Sequence, residues 1–142
     1  MTTQVQEITQ AVYDLLKPVI PSGLFVMRIR FEDQSDFIPY TNIIVAKGDP
    51  PPHGTGTFSQ VERTLELHFI STFMAPQAFA QAEARRELIH SALMKNVFLG
   101  GLCTTILEGT WISEMDHQDD GIGMIRILQQ YFFRYLGARQ TI

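Results

Sequence analysis

The sequence lacks the features that identify secreted, membrane-spanning or nucleic-acid-binding chains. Its single cysteine, Cys103, cannot form an internal disulfide, which is typical of a protein built for a reducing compartment. No hydrophobic run approaches the length of a membrane span, and the N-terminus has neither the basic nor the apolar region of a signal peptide. We therefore expect a soluble protein that is made inside the cell and does not contact a membrane.

The charge balance is slightly acidic. Eleven Lys and Arg against fifteen Asp and Glu give a net charge of −4, and no basic block occurs, so the electrostatic signature of a dedicated nucleic-acid binder is missing. Apolar residues make up 45 % of the 142 residues, which is a globular composition. The length is close to the roughly 150 residues of an average domain. We expect one domain over residues 1–142.

Hydrophobic periodicity predicts the element order α-β-β-β-α-β-β. The predicted elements are an opening helix stopped by Pro18, strands over 24–31, 42–46 and 61–69, a helix from Pro76 to Gly100-Gly101, and a closing hairpin of strands 106–115 and 122–136. Because hairpins are antiparallel, the sheet is expected to be mostly antiparallel with two helices packed on one face. The predicted fold class is α+β.

Two patterns predict how these elements pack. One stripe of the second helix is expected to face the core: Ala78, Phe79, Ala82, Arg86, Leu88, Ile89, Ala92 and Leu93. In strand 24–31, one face is predicted to be wholly apolar: Phe25, Met27, Ile29 and Phe31. The closing strand is apolar on both faces, so its second face is expected to meet a second sheet or another subunit.

The histidines and the cysteine do not form a recognisable catalytic or metal site. The histidines lack the i, i+4 spacing of a helical metal pair, which favours surface or partly packed side chains: His53, His68, His90 and His117. A dyad of Cys103 and His117 is conceivable, but a lone cysteine is more typical of a small buried hydrophobe. The sequence predicts no catalytic residue, metal or cofactor.

Acidic turns and a Pro/Gly-rich loop are the remaining candidates for function. Residues 116–121 depart from a calcium loop at positions 118 and 127, and their Asp-Gly pair is typical of a hairpin turn. The loop 47–57 reads KGDPPPHGTGT, which excludes regular structure. Arg28 and Arg30 share one face of a predicted strand, from which they would contact nucleic acid or an acidic neighbour.

Four segments together resemble one family. They are the helix ending at Pro18, the stretch IPYTNIIVAKGDPPP, the strand ERTLELHFI followed by an Ala-rich helix, and the closing strand IRILQQYFFRYLG. In the order of its elements and the residue composition of these segments, the chain resembles the tail terminator (tail completion) proteins of long-tailed phages and prophages, the minor tail protein U type.

The resemblance implies a structural protein of the virion tail, made in the host cytoplasm, whose subunits form a homohexameric ring. Such a ring caps the tail-tube protein, ends its polymerisation and offers a docking surface to the head or neck connector, while DNA only passes through the channel. The predicted partner-contact residues are Arg28, Arg30, Lys47, Asp49, Pro50, Pro51, Pro52, His53, Asp116, Asp119 and Asp120. Two alternatives stay open: a head–tail connector or head-closure protein, and a small dimeric α+β enzyme or ligand-binding domain.

Overall fold

The computed structural model describes residues 3–27, 40–47, 60–74, 78–117 and 123–138. The elements, in chain order, are α1 (Gln4–Leu16), β1 (Leu24–Val26), β2 (Tyr40–Lys47), β3 (Gln60–Met74), α2 (Ala78–Met94), a single 3-10 turn (Leu99–Gly101), β4 (Thr105–His117) and β5 (Gly123–Ala138). This order confirms the predicted one.

The described strands form one five-stranded sheet in the order β1-β2-β3-β5-β4. Only the β1–β2 pair is parallel, and the other three pairs are antiparallel. The longest pairing joins β3 to β5 in an unbroken register from Gln60 opposite Ala138 to Met74 opposite Met124. The fold is therefore α+β with a mostly antiparallel sheet, as predicted.

Both helices pack on the same face of the sheet. Helix α1 begins with a capping box, in which the Thr3 hydroxyl accepts from the backbone N–H of Gln6 and the Gln6 side chain accepts from the N–H of Thr3. The main core cluster combines α1, α2 and alternate residues of the central strands: Ile8, Val12, Leu16, Leu65, Leu67, Phe69, Ile89, Leu93, Tyr131, Phe133 and Tyr135. Buried side chains alternate along β3 from Val61 to Ser71 and along β5 from Ile125 to Tyr135, as in a sheet whose helix side is covered, while Thr72 and Met124 are also buried on the opposite face.

Strand β1 is shorter than predicted and presents a different face. It ends at Val26, and Met27 leaves the strand with a positive φ of 55°. Leu24 is buried, whereas Val26 and Met27 are exposed, so the predicted apolar face of Phe25 and Met27 does not pack on the core. The positive φ of Met27 turns the backbone and breaks the alternation on which the prediction depended. Positions 28–31 of the prediction lie outside the described residues.

The predicted stripe of α2 is too wide. Ala78, Ala82, Ile89 and Leu93 are buried, but Phe79 is 69 % exposed and Leu88 is 43 % exposed. Each of these two residues adjoins a buried one in sequence and therefore lies about 100° around the helix from it. The sheet covers only the line of α2 that faces it, so Phe79 and Leu88, on the flanks of the helix, stay exposed.

Strand boundaries extend beyond the predicted ones at several ends. Lys47 was expected to open the loop 47–57, but it is the last residue of β2 and pairs with Glu66. Asp116 was expected in the turn after β4, but it lies within that strand opposite Met124. Backbone pairing with the long strands β3 and β5 extends β2 and β4 beyond the point where the apolar alternation of their sequences ends.

The two faces of β5 are covered unequally. Its helix-facing residues are buried as predicted: Ile125, Ile127, Tyr131, Phe133 and Tyr135. On the opposite face Met124 is buried, Leu128 and Phe132 are partly buried, and Leu136 is exposed. The described strands belong to a single sheet, so no second sheet covers this face within the described part of the chain. In that same part, no helix is both long and apolar enough to cross a membrane.

Arg63 interrupts the apolar side of β3 and is nevertheless buried on the helix-facing side. Its side chain passes directly over Gly137 of β5, where a Cβ atom would lie 2.6 Å from Arg63 Cδ and 2.8 Å from Nε. Arg63 can lie across β5 at this point because Gly137 has no side chain.

We expect Gly137→Ala to lower the free energy of unfolding by about 1–3 kcal/mol, because the buried Arg63 side chain must shift to admit the new methyl group. Urea unfolding measures the loss. Gly123→Ala is the matched control, since a Cβ there meets nothing within 4 Å, and its stability should stay within about 0.5 kcal/mol of the wild type. Equal stability of the two variants would contradict this packing.

Candidate functional site

The predicted partner-contact residues fall mostly outside the described part of the chain. Positions 28, 30, 49–53, 119 and 120 are not described, and of Lys47 and Asp116 the structure places the backbone only. The flanking strands show where the two segments attach. Residues 48–59 join the sheet at the end where β3 begins, and residues 118–122 join it at the opposite end. The sheet does not bring the two attachment points together.

The structure separates Cys103 from His117. Cys103 is buried just before β4, and His117 is the last residue of that strand. At about 3.3 Å per residue the strand Thr105–His117 spans about 40 Å, so the two residues cannot form a dyad. Burial also raises the pKa of the Cys103 thiol to about 12, which keeps it protonated near neutral pH. Cys103 is a core residue, as the sequence predicted.

The two histidines with described side chains are partly packed and hydrogen-bonded. His68 Nε2 lies 2.7 Å from Glu66 Oε2 on the helix-free face. His90 Nδ1 lies 2.9 Å from the Tyr131 hydroxyl on the other face. Among the described side chains, no group of three or more His, Cys, Asp or Glu is placed to hold a metal ion.

A β-bulge in β4 decides which side chains reach its exposed edge. The register with β5 shifts between Glu108 and Trp111, so that both residues point to the helix side, where simple alternation would place Trp111 on the other face. At the bulge the Thr110 N–H donates to Gln130 Oε1 over 2.8 Å. The Gln130 amide in turn donates to Glu66 Oε2 over 2.8 Å, which links the bulge to β3.

On the helix side the bulge presents Trp111 to α2. The Arg86 guanidinium lies 5.1 Å from the centre of the indole ring, a cation–π arrangement. Arg86 also contacts Glu87 at 3.0 Å and Glu83 at 3.3 Å on the exposed surface of α2. The ring is therefore oriented by α2 while 43 % of the residue stays exposed.

Next to Trp111, a small cluster of polar side chains joins α2 to β5. The Gln129 amide donates to the backbone carbonyl of Arg86 and to the Tyr131 hydroxyl, and the same hydroxyl lies 2.9 Å from His90 Nδ1. Burial raises the pKa of Tyr131 to about 12, and the nearby carboxylate of Glu108 adds to the rise. This cluster fixes the position of α2 against β5, the strand that pairs with the bulged β4.

The first candidate interaction surface is the exposed edge of the sheet along β4, which we call the β4 edge. It is defined by Trp111 on the helix side and by Leu107 and Ile112 on the helix-free side, all at least 40 % exposed. Strand β4 pairs only with β5 in the described part of the chain, so its outer backbone groups face away from the sheet. A long edge strand with exposed apolar side chains is a template for pairing with another chain.

The second candidate surface is a groove of about 860 Å³ along α1, which we call the α1 groove. Its apolar lining comes from α1, the end of β1, β2 and the segment after the 3-10 turn: Val5, Ala11, Val26, Met27, Val45 and Leu102. Its polar lining comes from α1 alone: Gln6, Glu7, Thr9, Gln10 and Asp14. The volume is within the range of small-molecule and side-chain binding sites.

The turn at Met27 shapes one wall of the α1 groove. The Met27 N–H donates to the Ile43 carbonyl over 2.8 Å, and its sulfur accepts from the Val45 N–H over 3.0 Å. A left-handed φ is unfavourable for a residue with a side chain, and these two contacts offset that cost. These two contacts hold the exposed turn against β2.

Sequence reasoning missed both surfaces. Trp111 lay within a predicted strand, and Gly109 was the one signal that a bulge would change its face. Val26 and Met27 were expected inside a longer strand, and no local signal indicates the turn that exposes them. The α1 groove also needs residues from four separate segments, which only the folded chain brings together.

Comparison of the chain with protein-family models and with curated protein sequences finds no match.

We expect Gln130→Ala to lower the free energy of unfolding by about 1–2 kcal/mol, since the bulge loses the acceptor for the Thr110 N–H and Glu66 loses a donor. Gln10→Ala is the control, because its amide makes one contact with Asp14 on an exposed helix surface, worth a few tenths of a kcal/mol. Urea unfolding of both variants checks this. Equal losses would contradict a role for Gln130 in holding the bulge.

We expect Tyr131→Phe to make the free energy of unfolding less sensitive to pH above pH 10. Because the folded pKa of Tyr131 is raised from 10 to about 12, its contribution is complete below pH 10 and is lost as the pH rises towards 12. The wild type should therefore lose about 2–3 kcal/mol more than the variant between pH 10 and 12. Urea midpoints measured from pH 8 upward test this, and parallel curves would contradict it.

Proposed function

We propose that this chain is a structural protein of a phage or prophage tail that assembles into a ring, a hexamer as in the family it resembles. The ring caps the tail tube, ends its polymerisation and gives the head or neck connector its docking surface. The observation that carries the proposal is that the sheet exposes large apolar side chains at both of its edges.

Two different apolar surfaces on one subunit favour self-assembly over a solitary monomer. Soluble monomers rarely leave extended apolar patches uncovered. The β4 edge is an outer strand and the α1 groove is concave, so the two surfaces differ in shape. A contact between unlike surfaces is heterologous, and it generates a ring when the rotation between subunits closes.

The fold class and charge agree with this proposal. The family implies an α+β subunit, and this chain has that fold. A ring on a tail tube surrounds a channel through which DNA passes without being held. The net charge of −4 suits that role, because like charges disfavour retention of the phosphate backbone.

Light scattering over a concentration series, with negative-stain images of the largest species, tests self-assembly. We expect a mass of six chains and six-membered rings. Added to purified tail tubes, the protein should cap their ends and stop further growth, and its removal during assembly should give overlong tails. The control is heat-unfolded protein at the same concentration, which should leave tube growth unchanged.

A protein that neither forms rings nor caps tubes would contradict the proposal. A stable dimer whose melting temperature rises with a small apolar ligand would favour the binding-domain alternative instead, with the α1 groove as its pocket. Rings that bind purified head connectors but do not cap tubes would favour the connector alternative.

A further inference from the structure

We infer that the small cavity enclosed by α2, β4 and β5 beside Trp111 binds one water molecule, which accepts from Arg86 Nε–H and donates to Gln129 Oε1. This water site does not depend on the proposed ring.

The cavity has the size and the lining of a water site. Its volume is about 10 Å³, and a cavity of about 10–15 Å³ is enough to hold one water. Its lining comes from all three elements: Arg86 of α2, residues 108–111 of β4 and residues 129–131 of β5. Because guanidinium, carboxylate, amide and hydroxyl groups are among them, the cavity is unlike the dry ones that only aliphatic and aromatic residues line.

Two buried side-chain atoms of the lining residues have no hydrogen-bond partner among the described groups. They are Arg86 Nε, which is a donor, and Gln129 Oε1, which is an acceptor. Gln129 is only 3 % exposed, so bulk solvent does not supply its partner. Buried polar atoms in native proteins nearly always have a partner, and where no protein group is within reach that partner is an ordered water.

The other contacts of Gln129 determine which atom of its amide needs a partner. Its Nε2 donates to the Arg86 backbone carbonyl over 3.3 Å and to the Tyr131 hydroxyl over 3.4 Å. A flipped amide would place Oε1 against the carbonyl oxygen, which has no hydrogen to donate. The carbonyl of Arg86 therefore fixes the amide, and the atom that needs a partner is an acceptor.

One donor and one acceptor together select water over an ion. The bound species must accept from the Arg86 Nε–H and also donate to Gln129 Oε1. A metal or ammonium cation cannot accept from a guanidinium, and a halide cannot donate to an amide oxygen. Water does both, and its second hydrogen is available to the carboxylate of Glu108, another lining residue.

The water site explains how the inner side of the Arg86 guanidinium is held. Its outer contacts, with Glu83 and Glu87, lie on the exposed surface of α2, where ion pairs contribute little to stability. Nε is the buried atom of the group, and the guanidinium lies 5.1 Å from the centre of the Trp111 ring. A water that joins Nε to Gln129 therefore connects the Arg86–Trp111 pair to the central strand β5.

A crystal structure of the full-length wild type, at a resolution that shows ordered waters, tests the site directly. We expect one peak of electron density at about 2.7–3.2 Å from both Arg86 Nε and Gln129 Oε1. A direct hydrogen bond between these two atoms, with no peak between them, would overturn the inference. A peak with the short, multiple contacts of a metal ion would also overturn it.

Two variants test whether these atoms hold the water. Gln129→Met keeps the length of the side chain but removes the acceptor, and Arg86→Lys keeps the cation but removes the Nε–H. We expect both variants to lose the density peak. Gln10→Met is the control, because Gln10 lies on the exposed surface of α1, and it should keep the peak.

A measurement in solution covers the case in which a variant does not fold. In the wild type, the Arg86 Hε proton should show a nuclear Overhauser effect to water with the sign of a long-lived bound molecule. An effect with the sign of fast surface hydration, or a peak that both folded variants retain, would contradict the inference. Neither result bears on the proposed function, which ring formation and tube capping test separately.

Discussion

The unbroken pairing of β3 with β5 is the constraint on which the rest of the structure depends. Fifteen consecutive residue pairs fix the register from Gln60 opposite Ala138 to Met74 opposite Met124. A slip of one residue would turn every core side chain of one strand to the opposite face. Because both strands are central, this single register sets which side the helices cover and leaves β1 and β4 as the outer strands.

The same pairing explains how the two faces of the sheet differ. On the helix side, Leu65, Leu67 and Phe69 pack against Tyr131 and Phe133 and beneath both helices. On the other side, charged and amide groups alternate with apolar ones, and Glu66 joins His68 to Gln130 across the strands. The Gln130 amide then carries this network to the bulge in β4. The edge that presents Trp111 is thus connected to the centre of the sheet by side-chain hydrogen bonds.

Periodicity alone predicted the element order and most of the core, because β3, β5 and the buried line of α1 follow simple alternation or helical spacing. It failed where a residue leaves the regular pattern. Met27 adopts a positive φ and ends β1 early, and the bulge after Glu108 moves Trp111 to the other side of β4. Phe79 and Leu88 are apolar but lie on the flanks of α2, which no sequence pattern distinguishes from its centre. The departures at Met27 and Trp111 coincide with the candidate surfaces, since each changes which side chains an outer strand presents.

The central claim is that assembly covers the exposed apolar edges of the sheet, and hydrogen–deuterium exchange measures this most directly. Assembled and dissociated protein would be compared peptide by peptide. The account predicts slower exchange on assembly in both Thr105–His117 and Leu24–Val26, with little change in the central pair of β3 and β5. Slower exchange at only one of the two edges, or at neither, would contradict it.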